Sequence, residues 1–379
     1  MGYGYSPTCC PERWPTSIPR HWSPSSWRPP TGHTQLDGVR RIAVLLVDGL
    51  GYHLLPLAAP VAPTIADVLA GRLGTLTELT STFPSTTPTS LVSLGTGVLP
   101  GAHGILGFFL RVPGTDRVLN HLDWTDDPDP ARWQPVPTQF ARAAAAGVTV
   151  TVSSRPEYAG SGLTDAAYRG AAYRRAGDIG ELAAQMLTGL ADVPSLSYGY
   201  HPALDSTGHV YGVDSEQWRV AAAEVDALLT RLVTGLPPDA ALLVTADHGQ
   251  LDIPADHRYD VDADPRLSAG VHLVAGEARV RYLHTRPGAA ADVLAAWRAV
   301  LGDHARVLSR DEAIDTGWYG PVPPEHAARL GDVIAVCRDR YAILATAHEK
   351  DSIAKLVAFH GADTPVERAV PLIVVRGGR

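Results

Sequence analysis

Four short segments of the sequence place aspartate or histidine beside glycine, a combination suited to binding metal ions. Aspartate and histidine side chains that converge on one or two ions are common ligands of hydrolytic metal centres. Neighbouring glycines let the backbone and a substrate approach closely. In chain order the segments are VDGLG at 47–51, DSTGH at 205–209, TADHG at 245–249 and FHG at 359–361. The candidate ligands that they supply are Asp48, Asp205, His209, Asp247, His248 and His360.

A segment rich in hydroxyl groups, PSTTPTSLVSLGTG at residues 84–97, lies between the first two motifs. Its second proline predicts that a helix begins near Pro88, and the N-terminus of a helix suits a bound phosphate. A threonine at that point could act as a nucleophile once a metal lowers the pKa of its hydroxyl. Taken alone, the segment could equally be an edge strand followed by capping residues, and each ligand motif could be an ordinary turn. The complete set, in this order, indicates a hydrolytic site.

Three of the ligand motifs follow predicted strands. Arg41–Val47 and Ala241–Thr245 are continuous apolar runs, typical of strands that are buried on both faces of a parallel sheet. Ser195–Tyr200 is a third predicted strand. Ligands of such sheets gather beyond the carboxyl ends of the strands. We therefore expect Asp48, Asp205 and the Asp247-His248 pair along one edge of the sheet.

Strands and helices alternate along most of the chain, which predicts an α/β fold with a mostly parallel sheet sandwiched by helices. The other predicted elements are a helix at Pro63–Gly71, a strand at Thr75–Thr82, helices at Pro88–Leu94 and Thr138–Ala146, a strand at Val148–Val152, helices at Gly180–Leu190 and Ser215–Leu236, and a last strand at Val370–Val375.

The pattern changes between residues 268 and 345, where we predict a small α+β insertion. Its predicted elements are strands at Ala278–His284, Arg306–Leu308 and Asp332–Cys337, a helix at Gly288–Leu301, and a strand at Ala342–Ala345 that pairs with Asp332–Cys337. Residues 41–267 and 346–379 would then form the catalytic domain. Residues 1–40 are rich in proline, serine, arginine and tryptophan, and we expect them to form a disordered arm.

The composition narrows the choice of partners. The formal net charge is −8 and there is no basic stripe, so we expect no nucleic acid polymer as a partner. A small phosphorylated substrate stays possible because bound metal ions invert the local field. No apolar run is long enough to span a membrane. Three cysteines without a pairing framework favour a reducing compartment, and we expect a cytoplasmic protein.

The ordered motifs resemble the nucleotide pyrophosphatase/phosphodiesterase family of the alkaline phosphatase superfamily, over about Arg41 to Val375. That family has a threonine nucleophile in a segment that ends in Thr-Gly and precedes His-Gly-Ile. Here the same spacing gives residues 84–97 followed by AHGI at 102–105. The resemblance implies an alkaline phosphatase-like fold with Thr87 as the nucleophile, and Thr86 is the next choice.

The resemblance also implies two metal ions. Asp205, His209 and His360 would hold one ion. Asp48, Asp247 and His248 would hold the other, with Thr87 completing its shell. Mixed nitrogen and oxygen ligands suit zinc, and manganese is the alternative. The implied activity is hydrolysis of a phosphodiester or nucleotide pyrophosphate through a phosphothreonine. A phosphomonoesterase, a phosphonate hydrolase and a catalytically silent metal-binding protein are the alternatives.

The chain departs from the family pattern at Phe108, where the family has an asparagine that helps to hold a phosphate oxygen. Arg155, Tyr158 and Ser161 fall in the region that lines the family's substrate pocket. No arginine or lysine lies between Thr75 and Leu110 to meet the second charge of a monoester. We therefore expect a preference for diesters.

Overall fold

The computed structural model describes residues 36–378, so the predicted N-terminal arm, except for its last five residues, lies outside the described residues. The strands are β1 (Arg41–Val47), β2 (Thr75–Thr80), β3 (Phe109–Arg111), β4 (Val118–Asn120), β5 (Thr149–Ser154), β6 (Ala172–Arg175), β7 (Ser195–His201), β8 (Ala240–Thr245), β9 (Leu251–Asp252), β10 (Arg258–Asp260), β11 (Val271–Glu277), β12 (Val280–Thr285), β13 (Ala305–Ser309), β14 (Val333–Cys337), β15 (Ala342–Leu344), β16 (Ala358–Phe359) and β17 (Ala369–Arg376). The α-helices are α1 (Leu55–Ala58), α2 (Pro63–Leu69), α3 (Thr87–Thr96), α4 (Pro100–His103), α5 (Pro130–Trp133), α6 (Gln139–Ala145), α7 (Gly162–Tyr168), α8 (Ile179–Thr188), α9 (Ala203–Tyr211), α10 (Glu216–Gly235), α11 (Pro265–Ser268), α12 (Ala290–Leu301), α13 (Arg310–Asp315), α14 (Pro324–Ala327), α15 (Asp351–Ala354) and α16 (Pro365–Arg368).

A seven-stranded sheet with the order β2-β17-β8-β1-β7-β5-β6 forms the centre of the fold. The strands β8, β1, β7, β5 and β6 are parallel to their neighbours. The last strand, β17, is antiparallel to both β8 and β2. The predicted α/β fold with a mostly parallel sheet is therefore confirmed.

Helices cover both faces of this sheet. Successive side chains of a strand point to opposite faces, and β1 follows this rule: Leu45 and Val47 pack with the core of α8 and α10. Leu46, between them, packs in the other core with α3, α6 and α7. All three side chains are at most 1% exposed. This burial on both faces explains why β1 is apolar without interruption.

A second, antiparallel sheet has the order β11-β12-β14-β13. Helix α12 packs on it through Val293, Trp297 and Leu301. The strand predicted at Ala278–His284 begins later, at Val280, because Ala278 and Arg279 form the turn of the β11–β12 hairpin. We refer to residues 271–337, which supply this sheet and its helix, as the α+β unit.

The predicted pairing of Ala342–Ala345 with Asp332–Cys337 is wrong. The strand exists as β15, but it pairs in parallel with β10. Both edges of β14 are already occupied, by β12 on one side and β13 on the other, so β14 has no free edge for another strand.

Helices α10 and α6 begin one residue later than predicted, because the first predicted residue of each is its N-cap. Ser215 accepts a hydrogen bond from the backbone of Trp218 and precedes α10, and Thr138 accepts one from Ala141 and precedes α6. Among residues 36–378, no helix is both long and apolar enough to cross a bilayer.

Candidate metal and phosphate site

Three adjacent strands, β8, β1 and β7, bring most of the candidate ligands to one edge of the central sheet. Asp48 directly follows β1, and Asp247 and His248 come just after β8. Asp205 does not lie at the strand end or in a loop, as the sequence indicated; it lies in the first turn of α9, which follows β7. His209 lies four residues later on the same helix, and this spacing puts both side chains on one helix face.

The six candidate ligands form two groups, and each has ligand atoms within 4.8 Å of one another. Site A contains Asp205, His209 and His360, and site B contains Asp48, Asp247 and His248. In site A, Asp205 oxygens lie 3.3 Å from His209 Nε2 and 3.7 Å from His360 Nε2. The rings of His248 and His360 stack with centroids 3.4 Å apart, so the two sites are directly adjacent.

The Nδ1 hydrogen bonds of the three imidazoles turn each Nε2 toward a carboxylate, and His248 Nε2 also lies within hydrogen-bond distance of the Thr87 hydroxyl. His209 Nδ1 lies 2.7 Å from the carbonyl of Ala358, and His360 Nδ1 lies 2.9 Å from that of Ser85. His248 Nδ1 lies 3.1 Å from the carbonyl of Gly249. A carbonyl only accepts, so each Nδ1 carries the proton and each Nε2 presents a lone pair toward the carboxylates.

Site B contains two buried carboxylate oxygens that have no hydrogen-bond donor among the described residues. They are Asp48 Oδ1 and Asp247 Oδ2, and they lie 3.3 Å and 3.4 Å from His248 Nε2. Three electron-rich atoms thus converge in a site that is buried from solvent. Such an arrangement is costly unless a cation neutralises it, and the residues fit a metal ion.

The carboxylates of the two sites also repel one another. Burial raises the pKa of Asp48 well above its usual range, and the charges of Asp247 and Asp205 raise this pKa further. Burial acts in the same direction on Asp205, but His209 and His360 bring the pKa of Asp205 below its ordinary value. Burial also lowers the pKa of His360 well below its usual range, which favours the neutral imidazole that binds metals.

Of the two candidate nucleophiles, Thr87 is the one whose hydroxyl lies at site B. It is the first residue of α3, and its Oγ1 lies 3.2 Å from His248 Nε2 and 3.5 Å from Asp48 Oδ2. Thr86, the alternative nucleophile, is fully buried and its hydroxyl has no hydrogen-bond partner in the described part of the chain. Geometry therefore favours Thr87 over Thr86.

Two glycines of VDGLG permit the close approach of the ligand loops. Gly49 has a φ of 75°, and a Cβ there would lie 2.9 Å from the Cβ of Asp205. A Cβ at Gly51 would lie 2.6 Å from the Cα of Gly249, beside His248. Any larger residue would push site B away from the neighbouring loops.

Sequence reasoning missed two buried polar residues that hold the ligands. The Tyr200 hydroxyl donates to Asp48 Oδ2. Gln250 Nε2 donates to Asp205 Oδ1 at 2.9 Å, and Gln250 is only 1% exposed. The position of Gln250 directly after Asp247-His248-Gly249 is a signal that could have identified it. No comparable signal marks Tyr200, which is the penultimate residue of a buried strand.

The structure places only one of the substrate-pocket candidates next to the metal sites. The ring of Tyr158 lies 6.0 Å from that of Tyr200, edge to face. The Arg155 side chain is 44% exposed, forms a loose ion pair of 3.7 Å with Glu157 and interacts with the Tyr158 hydroxyl. Ser161 instead caps α7 by accepting from the Thr164 backbone. Phe108 is half-buried against the ring of Phe109 and contributes no polar side-chain atom.

Comparison with known proteins identifies relatives of the whole described fold. The family model described as "Type I phosphodiesterase / nucleotide pyrophosphatase" matches residues 42–363. No curated protein sequence matches the chain significantly.

Several solved structures share the fold at low sequence identity. Murine ectonucleotide pyrophosphatase / phosphodiesterase 5 is 19% identical with a TM-score of 0.71, over 87% of each chain. An inactive form of the same murine protein, in complex with AMP, is 18% identical with a TM-score of 0.71, over 88% of this chain and 87% of that one. Phosphonoacetate hydrolase from Sinorhizobium meliloti, in complex with phosphonoacetate, is 20% identical with a TM-score of 0.65, over 89% and 90%.

Proposed function

Because the chain belongs to the type I phosphodiesterase / nucleotide pyrophosphatase family, we propose that it hydrolyses phosphate diesters or nucleotide pyrophosphates at sites A and B, with Thr87 as nucleophile. One observation carries the proposal: two unpartnered, buried carboxylate oxygens of Asp48 and Asp247 face His248 Nε2 beside the Thr87 hydroxyl. A cation bound there would neutralise these oxygens and would lie next to the Thr87 hydroxyl, which supports the proposal.

Two divalent ions fit the available ligands. Site A offers one carboxylate and two imidazoles, and site B offers two carboxylates and one imidazole. This mixture favours zinc, with manganese as the alternative. When bound, the ions supply positive charge that acidifies a hydroxyl and stabilises the oxygens of the reacting phosphoryl group.

Residues of the chain position the reacting atoms. Thr87 Oγ1 attacks phosphorus, a P–O bond to threonine forms, and the P–O bond to the leaving alcohol or phosphate breaks. Water then attacks the phosphothreonine, which returns the Thr87 hydroxyl and releases the phosphorylated product. Asp48 Oδ2 orients the Thr87 hydroxyl and is held by Tyr200. The N-terminus of α3 faces the same region and suits the phosphoryl oxygens.

The substrate that we propose is a small phosphorylated molecule, with a nucleotide as the first candidate. The murine structure with AMP shows that a neighbour of the same fold binds a nucleotide. Tyr158 offers an aromatic face near Tyr200 for a base or other flat group. The absence of arginine and lysine from residues 76–109 supports a diester over a monoester. We also propose the cytoplasm as its location.

A phosphonate hydrolase that uses the same two sites is the second candidate. Arg155 supports it, because its side chain is 44% exposed beside Tyr158 and only loosely paired with Glu157. A guanidinium in this state could bind a second anionic group on the substrate.

Turnover of bis-p-nitrophenyl phosphate, with and without chelator, tests the proposal. We expect kcat/KM for this diester to exceed that for p-nitrophenyl phosphate by at least about tenfold. Chelator should remove the activity and zinc should restore it. Phe108→Asn should keep turnover, because its side chain supplies no polar atom in the native protein.

Other outcomes would select the alternatives. A tenfold preference for the monoester would make the protein a phosphomonoesterase, and turnover of phosphonoacetate in place of either ester would make it a phosphonate hydrolase. Zinc binding without any turnover would identify a silent metal-binding homologue.

A further inference from the structure

The tip of the β11–β12 hairpin in the α+β unit reaches the loop that carries a metal ligand. Arg279, at this tip, forms a bidentate pair with Glu367: Nε lies 2.9 Å from Oε1 and Nη2 lies 2.8 Å from Oε2. Both side chains are fully buried. The remaining Nη1 donates to the carbonyl of Tyr341. Each of the three guanidinium nitrogens therefore has a hydrogen-bond acceptor, and the orientation of the group is fixed.

Glu367 joins the loops of both metal sites. Its Oε1 accepts from the backbone N–H of Ala362 at 3.0 Å, two residues after His360. The Ala362 carbonyl in turn accepts from the Ser85 hydroxyl at 2.8 Å, and the Ser85 carbonyl receives His360 Nδ1. On the other side, the backbone carbonyl of Glu367 accepts from Gly249 N–H at 2.7 Å, directly after His248. Glu367 is thus linked through its carboxylate to a ligand of site A and through its backbone carbonyl to a ligand of site B.

A second arginine of the same hairpin provides an internal comparison. Arg281 forms an equally close bidentate pair with Glu349, at 2.6 Å and 2.8 Å, and both side chains are at most 10% exposed. Glu349 also accepts from the backbone of Ala345, and these contacts include none of the metal ligands. The two pairs share the hairpin, the chemistry and the burial, and they differ in what the carboxylate holds.

We propose that Arg279 is a positioning residue for His360 and His248, which acts through Glu367 and sets the affinity of the metal sites. The α+β unit then helps to position the metal ligands, although it supplies none of them itself. The proposal rests on the proposed function, since it requires that sites A and B bind metal.

Zinc affinity separates this role from general stability. We would measure the zinc Kd by competition with a chelator, and the cobalt absorption spectrum, for full-length wild type, Glu367→Gln and Arg279→Lys. We expect the Kd to rise about ten- to a hundredfold in Glu367→Gln, the scale seen when groups that hold metal ligands are changed. Arg279→Lys keeps the positive charge but cannot form the bidentate pair with Glu367, and it should raise the Kd less than Glu367→Gln does.

Glu349→Gln and Arg281→Lys are the matched controls, and their Kd should stay within about twofold of wild type even if their Tm falls. An equal rise in both pairs, or an unchanged Kd in Glu367→Gln, would overturn the proposal. If Glu367→Gln does not fold, Arg279→Lys against Arg281→Lys decides the question. Wild type that binds no zinc would instead contradict the proposed function.

Discussion

Two groups of largely buried histidines in this protein use their ring nitrogens in different ways. The first is formed by His209, His248 and His360 of the metal sites. The second histidine cluster, defined by His103, His121 and His326, lies around α4 and the β3–β4 hairpin. The members of the first group present Nε2 to carboxylates at 3.3–3.7 Å.

In the second histidine cluster, protein groups occupy the ring nitrogens. His121 donates from Nδ1 to the Phe108 carbonyl at 2.9 Å and accepts at Nε2 from the Trp133 indole at 3.0 Å. His103 accepts at Nδ1 from the backbone of Ile105 and contacts the Ser93 hydroxyl through Nε2. The buried Arg329 lies beside His103 and His121 and would repel a cation there.

Burial of histidine therefore does not by itself indicate a metal site. The decisive features are whether Nε2 is free and whether carboxylates face it. Both groups hold imidazoles that are largely hidden from solvent, yet only the first combines them with carboxylate oxygens that lack donors.

Substitutions in the two groups should have very different effects on metal content. Wild type should bind about two zinc ions per chain, and Asp247→Asn or His360→Ala should empty one site and reduce diesterase activity to background. His103→Gln should leave the zinc content unchanged, because its nitrogens bind protein groups. The number of zinc ions per chain is measured by metal analysis of protein that is purified without chelator and resupplied with zinc. An absence of zinc in wild type would remove the basis of the comparison.

Loss of the nucleophile should have the next largest effect. Thr87→Ala should lower kcat by at least about a hundredfold, because its Oγ1 is the candidate nucleophile that contacts both His248 and Asp48. Thr87→Ser should keep part of the activity and should form a phosphoryl adduct that mass spectrometry detects. Thr86→Ala is the control. If it is inactive while Thr87→Ala is near wild type, the nucleophile is one residue earlier than we infer.

The second histidine cluster should affect stability toward acid. Burial lowers the pKa of His121 to about 4, below its ordinary value in the unfolded chain, so the unfolded state binds more protons between about pH 6.5 and pH 4. The associated stability is complete above that window and is lost as the pH falls through it. The shift corresponds to about 3 kcal/mol of unfolding free energy.

Urea unfolding of chelated protein at pH 7 and pH 4 would measure this contribution. The loss of stability between the two pH values should be smaller by about 3 kcal/mol in His121→Gln than in wild type. The exposed His53→Gln is the control. An identical pH dependence in wild type and His121→Gln would show that His121 is not held neutral in the fold.

Much of the fold could be predicted from local patterns. The continuous apolar runs at β1 and β8 indicated strands buried on both faces, and the amphipathic run of α10 indicated a long helix between strands. Those patterns are local because burial of a strand or of one helix face restricts nearly every residue in it. Strand pairing was harder to predict from the sequence. The partner of β15 depended on the occupied edges of β14, which no local pattern encodes.

The family and the six candidate ligands could be identified from the sequence, since the residue types, their order and their glycine neighbours lie in short continuous segments. The family resemblance also implied the division into two sites and the role of Thr87, whereas the residues that hold the ligands became evident from the three-dimensional packing. Tyr200 meets Asp48 across 152 positions of sequence, and Arg279 meets Glu367 across 88. Such contacts depend on how strands and loops pack in three dimensions, and ordinary residues such as tyrosine and arginine carry no local mark of them.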